Sequence, residues 1–311
     1  MADTVLAGPG PTAGPEPAAQ PEAGAGGPDA APRPAPRPAH VNPRPILQGV
    51  GIGLLLLAVV ALGMAGYLYF LSDVQEARAQ TIMYTRLQYE LGNQIAPLGP
   101  TAPGSPVAVL NIPAIGIRDM VVVQGTSAEN MTLGPGHLRS TVMPGQAGVS
   151  EIFGRRVTFG APFARLGELR PGNLIVTITG QGRSVYRVAA LGSSHTRIVD
   201  PAPNRLLLVT AASPYIPAYY IEVDARLISV ARPGPATVHV LNAPELTLAG
   251  NYQALVLTFI WAIALVGVSA LGTYGALRWS PWPAYLAAAP LAMAVLWNLY
   301  ESLSALLPNV Y

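Results

Sequence analysis

At 311 residues the chain has length for roughly two domains, yet 51% of its residues are apolar and only 11% charged, a balance that points to a membrane protein. A net charge of +2 excludes the basic field of a nucleic-acid binder. Cysteine is absent, which excludes disulfides, thiolate metal sites and thiol nucleophiles; no metal-ligand cluster, phosphate-binding loop or repeat appears, so neither metal nor cofactor is expected.

In chain order, residues 1–45 are mostly Pro, Ala and Gly and cannot bury a core against chain entropy, which predicts a disordered tail. An uncharged apolar run comes next, over 46–71. At about 1.5 Å per residue it is ample for a hydrocarbon core of about 30 Å. Arg33, Arg37 and Arg44 precede the run, while Asp73 and Glu76 come after it, so the positive-inside rule puts the N-terminus in the cytoplasm and the chain beyond residue 71 outside. Residues 72–96 keep helix formers with Ile82, Leu87, Leu91 and Ile95 recurring every three to five positions, a stalk helix. The prolines of 97–106 form a linker.

Residues 107–231 read as seven short strands between turns: 107–112, 118–124, 149–153, 174–179, 185–191, 206–210 and 219–230. Frequent β-branched residues and alternation, as in 174–178, predict an all-β barrel or sandwich. A linker over 232–253 leads to two more apolar segments, 254–277 and 283–300, joined by a turn that carries Arg278 on the cytoplasmic side. The tail 301–311 is then outside. The whole is a multi-pass plasma-membrane protein with three transmembrane helices and an extracytoplasmic β domain.

The most informative stretch is Met131 to Leu169. It contains Gly134-Pro135-Gly136-His137, then Thr141 with Pro144-Gly145 and Gly148, then the strand 149–153 running into Gly154-Arg155-Arg156, Thr158 and Gly160-Ala161-Pro162-Phe163. With Leu110 to Gly116 and Gly125-Thr126, this pattern resembles a sortase domain of the actinobacterial class E-like type, from the cysteine transpeptidases of Gram-positive cell envelopes. The resemblance implies a closed β-barrel. It also implies three catalytic roles: a cysteine nucleophile, a histidine for proton transfer and an arginine for the oxyanion or peptide. The histidine position reads Arg155, the cysteine position after Leu206 to Thr210 reads Ala211, and the arginine neighbourhood reads Tyr219 or Tyr220.

A methyl side chain cannot form an acyl-enzyme, and the three roles act as a unit. The resemblance therefore implies a pseudoenzyme, with no catalytic residues expected. It would serve as a binding or scaffolding module for an exported peptide or protein, alone or beside another membrane subunit or a catalytically complete sortase. His137, Arg155, Arg156, Thr210 and Ala211 are the candidate groove residues. Arg155 reads either as half of a solvated pair at a strand end or as a planar donor projecting into the groove. The competing function is a transpeptidase or hydrolase using another nucleophile, with Ser213 the fallback and His195 the other barrel histidine. Glu151 and Asp200 read as isolated acids at strand ends or turns.

Overall fold

The computed structural model describes residues 43–196, 198–214, 218–235, 243–278 and 280–311. The expected tail up to residue 42, linker residues 236–242 and position 279 of the expected turn lie outside the described residues. The chain divides into two compact units, residues 1–52 and 53–311. The described part of the first is the opening of helix α1 (Pro43–Gly66).

In the second unit, α1 passes through a π-helical turn at Tyr67–Leu71 into α2 (Ser72–Gly92). The stalk helix ends at Gly92, ahead of the prolines expected to stop it, because Asn93 leaves helical geometry and Gln94 takes a positive φ of 59°. Leu87 of α2 is fully buried with Val109 and Val121 of the barrel, and Met83, Tyr84 and Leu91 pack around them.

Eight strands close into a barrel: β1 (Pro106–Ile112), β2 (Ile117–Gln124), β3 (Gly136–His137), β4 (Val149–Phe153), β5 (Leu174–Thr179), β6 (Gly182–Ser193), β7 (Arg205–Ala211) and β8 (Tyr220–Leu227). Their order around the barrel is β1-β2-β3-β4-β7-β8-β6-β5. The closed barrel expected from the sequence is present with all seven expected strands. The eighth, β3, is two residues long and carries no periodicity to read. Alternation holds where one face meets solvent: in β5, Ile175, Thr177 and Thr179 are buried and their neighbours are not. It fails in β1, buried over almost its whole length because α2 covers its outer face.

Strand β2 pairs with β3 only at Val123 and Gln124, so the backbone of Val121 lacks a strand partner on that side. Gln80 of α2 supplies one. Its Nε2 donates to Val121 O at 3.0 Å and to Leu133 O at 2.7 Å, and its Oε1 accepts from Val121 N at 2.7 Å. The amide thus completes the sheet edge and ties the stalk to the barrel.

Helices α3 (Ala254–Arg278) and α4 (Pro281–Ser304) form an antiparallel hairpin in which Gly272 faces Ala288 and Gly275 faces Ala284. Pro290 lies inside α4 without ending it. Among the described residues, three helical stretches are long and apolar enough to cross a membrane: Leu57–Gly92, Ala254–Arg278 and Trp282–Ser304. Tyr300 of α4 donates to Val60 O of α1 at 3.0 Å, and the Tyr67 ring stands between Trp297 and Tyr300. The Asn251 N–H donates to Ala305 O at 2.9 Å, bringing both open ends of the hairpin together beside the barrel.

Candidate functional site

Strands β4 and β7 are parallel neighbours in register from Val149/Arg205 to Phe153/Val209, and Ala211 of β7 faces Tyr220 of β8. The topology therefore gathers Arg155, Ala211 and Tyr220 at one end of the barrel, although 56 residues separate Arg155 from Ala211. Gly154 N donates to Val209 O at 2.9 Å, and Thr210 Oγ1 donates back to Gly154 O at 2.8 Å, so both strand ends are pinned to each other. Thr210 and Ala211 are fully buried.

Arg155 does not project into a groove, nor is it a solvated strand-end residue. It is 0% exposed. Its Nε donates to Met131 O at 3.2 Å, Nη2 to Ala128 O at 2.7 Å and Nη1 to Thr158 Oγ1 at 3.1 Å, with the guanidinium 4.7 Å from the Phe159 ring centroid. The planar fork fits this socket of carbonyls, a hydroxyl and a π-face. Burial lowers its pKa to about 10, so it keeps its charge at neutral pH. Arg156 is the more open of the pair, and its Nη1 donates to Ala211 O at 3.0 Å.

His137 is also sealed in. Nε2 lies 2.9 Å from Val142 O and Nδ1 lies 3.1 Å from Gln124 Oε1, so each ring nitrogen faces an acceptor oxygen inside the barrel. Burial lowers its pKa to about 4, which keeps the ring neutral in the physiological range. The candidate groove residue His137 is therefore instead a buried strut that fixes β3. The other described barrel histidine, His195, is exposed and lies 4.3 Å from the Tyr219 ring, centroid to centroid.

Residues 110–233 match the family model of the sortase domain. A curated relative, Sortase D of Bacillus subtilis (strain 168), is 30% identical over 97 residues, which is 31% of this chain and 44% of that protein. The chain thus spans less than half the length of the curated relative it matches. Among solved structures, sortase E from Streptomyces avermitilis is 29% identical over 42% of this chain and 91% of its own, with a TM-score of 0.36. A Clostridium perfringens Sortase D5 transpeptidase is 19% identical over 49% of this chain and 99% of its own, with a TM-score of 0.42.

On the sortase-like barrel, a cavity of about 670 Å³ runs along the outer faces of β4, β7 and β8, with Glu151, Phe153, Arg205, Val209, Tyr220 and Glu222 among its walls. Sequence reasoning did not find this acidic wall, because Glu151 and Glu222 meet only through the order of strands. Glu151 is not an isolated acid: burial raises its pKa, and Glu222 adds to the rise. Nor is Asp200, whose Oδ2 accepts from Arg226 Nε at 2.7 Å and whose carboxyl is held well below the usual range by that bond. Asp200 also acts on the pKa of buried Asp224.

Burial, with the neighbouring Asp200 carboxyl adding to it, pushes Asp224 up to about 6, above its ordinary value of 3.8. A carboxyl raised on folding contributes stability that is whole below pH 3.8 and is lost as pH rises through 6. Asp200 acts oppositely, losing its contribution below 3.8. The melting temperature is therefore expected to fall between about pH 4 and about pH 6, and Asp224→Asn to flatten that fall while keeping an acceptor for Arg205. A fall of unchanged size in the variant would assign it to another group.

Proposed function

We propose that the chain is a catalytically silent, sortase-like binding module held outside the plasma membrane by three spans, and that it engages an exported peptide or protein along the groove of β4, β7 and β8. The observation that carries the reading is Ala211. It stands at the end of β7 where the resemblance calls for a nucleophilic cysteine, and its methyl is packed in an apolar cluster with Phe153 and Val209. The residue at the histidine position, Arg155, spends its donors on backbone carbonyls and a hydroxyl. Proton transfer and acylation need a nucleophile and a base within reach of one another. The charge asymmetry around the first span supports a cytoplasmic N-terminus.

Full-length protein in native membranes is expected to turn over sorting-signal peptides no faster than a heat-inactivated control. A photo-crosslinking residue at Glu222 is expected to capture one defined exported protein. Turnover above the control would sink the reading, and its loss on Ser213→Ala would assign the chemistry to that serine.

A further inference from the structure

Residues 305–311 leave α4 and return to the barrel at the end where Ala211 sits. Val310 is 0% exposed and belongs to one cluster with Met131, Leu138, Phe153, Val209 and Ala211. Asn309 Nδ2 donates to Thr126 O at 2.7 Å and to Leu246 O at 2.9 Å, and its backbone N–H donates to Ala249 O at 2.9 Å. The chain beyond β4 offers consecutive N–H groups: Arg156 N donates to Val310 O at 3.1 Å, and Val157 N donates to Tyr311 O at 3.0 Å. Phe153, Val209 and Tyr220 line the 670 Å³ cavity and also pack in or against the cluster that holds Val310. The segment therefore packs on residues that also form the groove wall.

We infer that residues 309–311 are the resident occupant of a peptide site at the Ala211 end of the groove, and that an incoming peptide reaches this site by displacing them. The inference rests on the binding-module reading and adds its regulation. Three features favour exchange over a permanent seam. Apart from the Val310 side chain and the Tyr311 phenol, which meets Tyr69, the contacts are hydrogen bonds to backbone groups of the barrel and the 243–249 loop, so another extended peptide can make them. The fit is imperfect, since Asn309 Oδ1 is buried without a partner among the described residues, a loss that an incoming ligand need not share. The covering loop is also strained: Leu248, packed against the same cluster, holds a φ of +65°, while Thr126 Oγ1 and the Arg139 ion pair fasten the loop through Glu245. The ligand class is an extended peptide with a carboxamide side chain followed by a small aliphatic one.

The test uses full-length protein in lipid nanodiscs and a fluorescein-labelled peptide carrying the sequence of residues 305–311, read by anisotropy. Val310→Asp puts a charge in the apolar pocket and expels the segment; this variant is expected to bind the peptide at least tenfold more tightly than the unmodified chain. Asn309→Ala, which leaves the pocket apolar and so keeps the test alive if the charged variant misfolds, is expected to give a smaller gain. Near-UV circular dichroism monitors barrel integrity in both. A peptide with Asp in the Val310 position is expected to bind none of the proteins. Equal affinity across all three, or binding to none, would overturn displacement. If either comes with continued capture of an exported protein from Glu222, only the gate has failed. Peptide binding restored by Val310→Asp with no capture would keep the gate and remove the exported ligand.

Discussion

Arg155→Ala is expected to destabilise the barrel by about 3 kcal/mol or more. The change orphans two buried carbonyls, of Met131 and Ala128, at a cost of about 1–3 kcal/mol each. It also removes the aliphatic stem from a closed space beside Phe159, and the void adds to the loss. Against this stands relief from burying a cation, because among the described residues the guanidinium meets dipoles and a ring and forms no salt bridge. Arg155→Met separates the terms: it fills most of the space and sheds the charge, so its cost is expected to be smaller than that of alanine. Arg155→His brings back the side chain the sortase pattern has here, but it is shorter than a guanidinium and offers at most two N–H donors for a three-acceptor socket. Its cost is expected to fall near that of alanine. Hydrogen exchange on the full-length protein is the measurement, followed at amides of Gly154 and Leu208 to Ala211. Alanine within about 0.5 kcal/mol of the unmodified chain would mean that the socket does not hold the two strand ends together.

The barrel was legible because its strands are short, β-branched and separated by Gly and Pro turns, and those local signals survive folding. What was not legible depends on partners far away in sequence. Side-chain direction at Arg155 is one case: spacing put it at a strand end, but only the carbonyls of Ala128 and Met131, 27 and 24 positions back, turn it inward. Gln80 lies outside the apolar stalk pattern, yet it finishes the edge of β2 because β3 is too short to do so. Glu151 looked isolated because Glu222 reaches it only through the insertion of β7 between β4 and β8. The segment after α4 carried one weak hint. Val310 and Tyr311 are apolar and aromatic at positions expected to form a tail outside the membrane, and Val310 turns out to be wholly buried.

Gly136→Ala is expected to cost several kcal/mol and to disturb both the Arg155 socket and the segment docked near Ala211. A methyl added at Gly136 would land inside contact distance of the Gly125 carbonyl oxygen and 3.2 Å from Met131 Cγ. The first neighbour is backbone and cannot swing aside, so the chain itself must shift. Gly125 is held from the other side, its N–H donating to His137 O at 2.9 Å. Its φ of +95° is a conformation only glycine adopts freely. Any shift therefore passes to Thr126, whose carbonyl accepts from Asn309 and whose hydroxyl fastens the Glu245 loop. Movement of Met131 displaces the carbonyl that Arg155 Nε uses. Two effects are thus expected from one methyl group. The thermal unfolding midpoint falls, and amides of Asn309 to Tyr311 exchange faster than the barrel as a whole. A variant that loses stability while residues 309–311 stay as protected as β7 would show that the turn holds the barrel without controlling the docked segment.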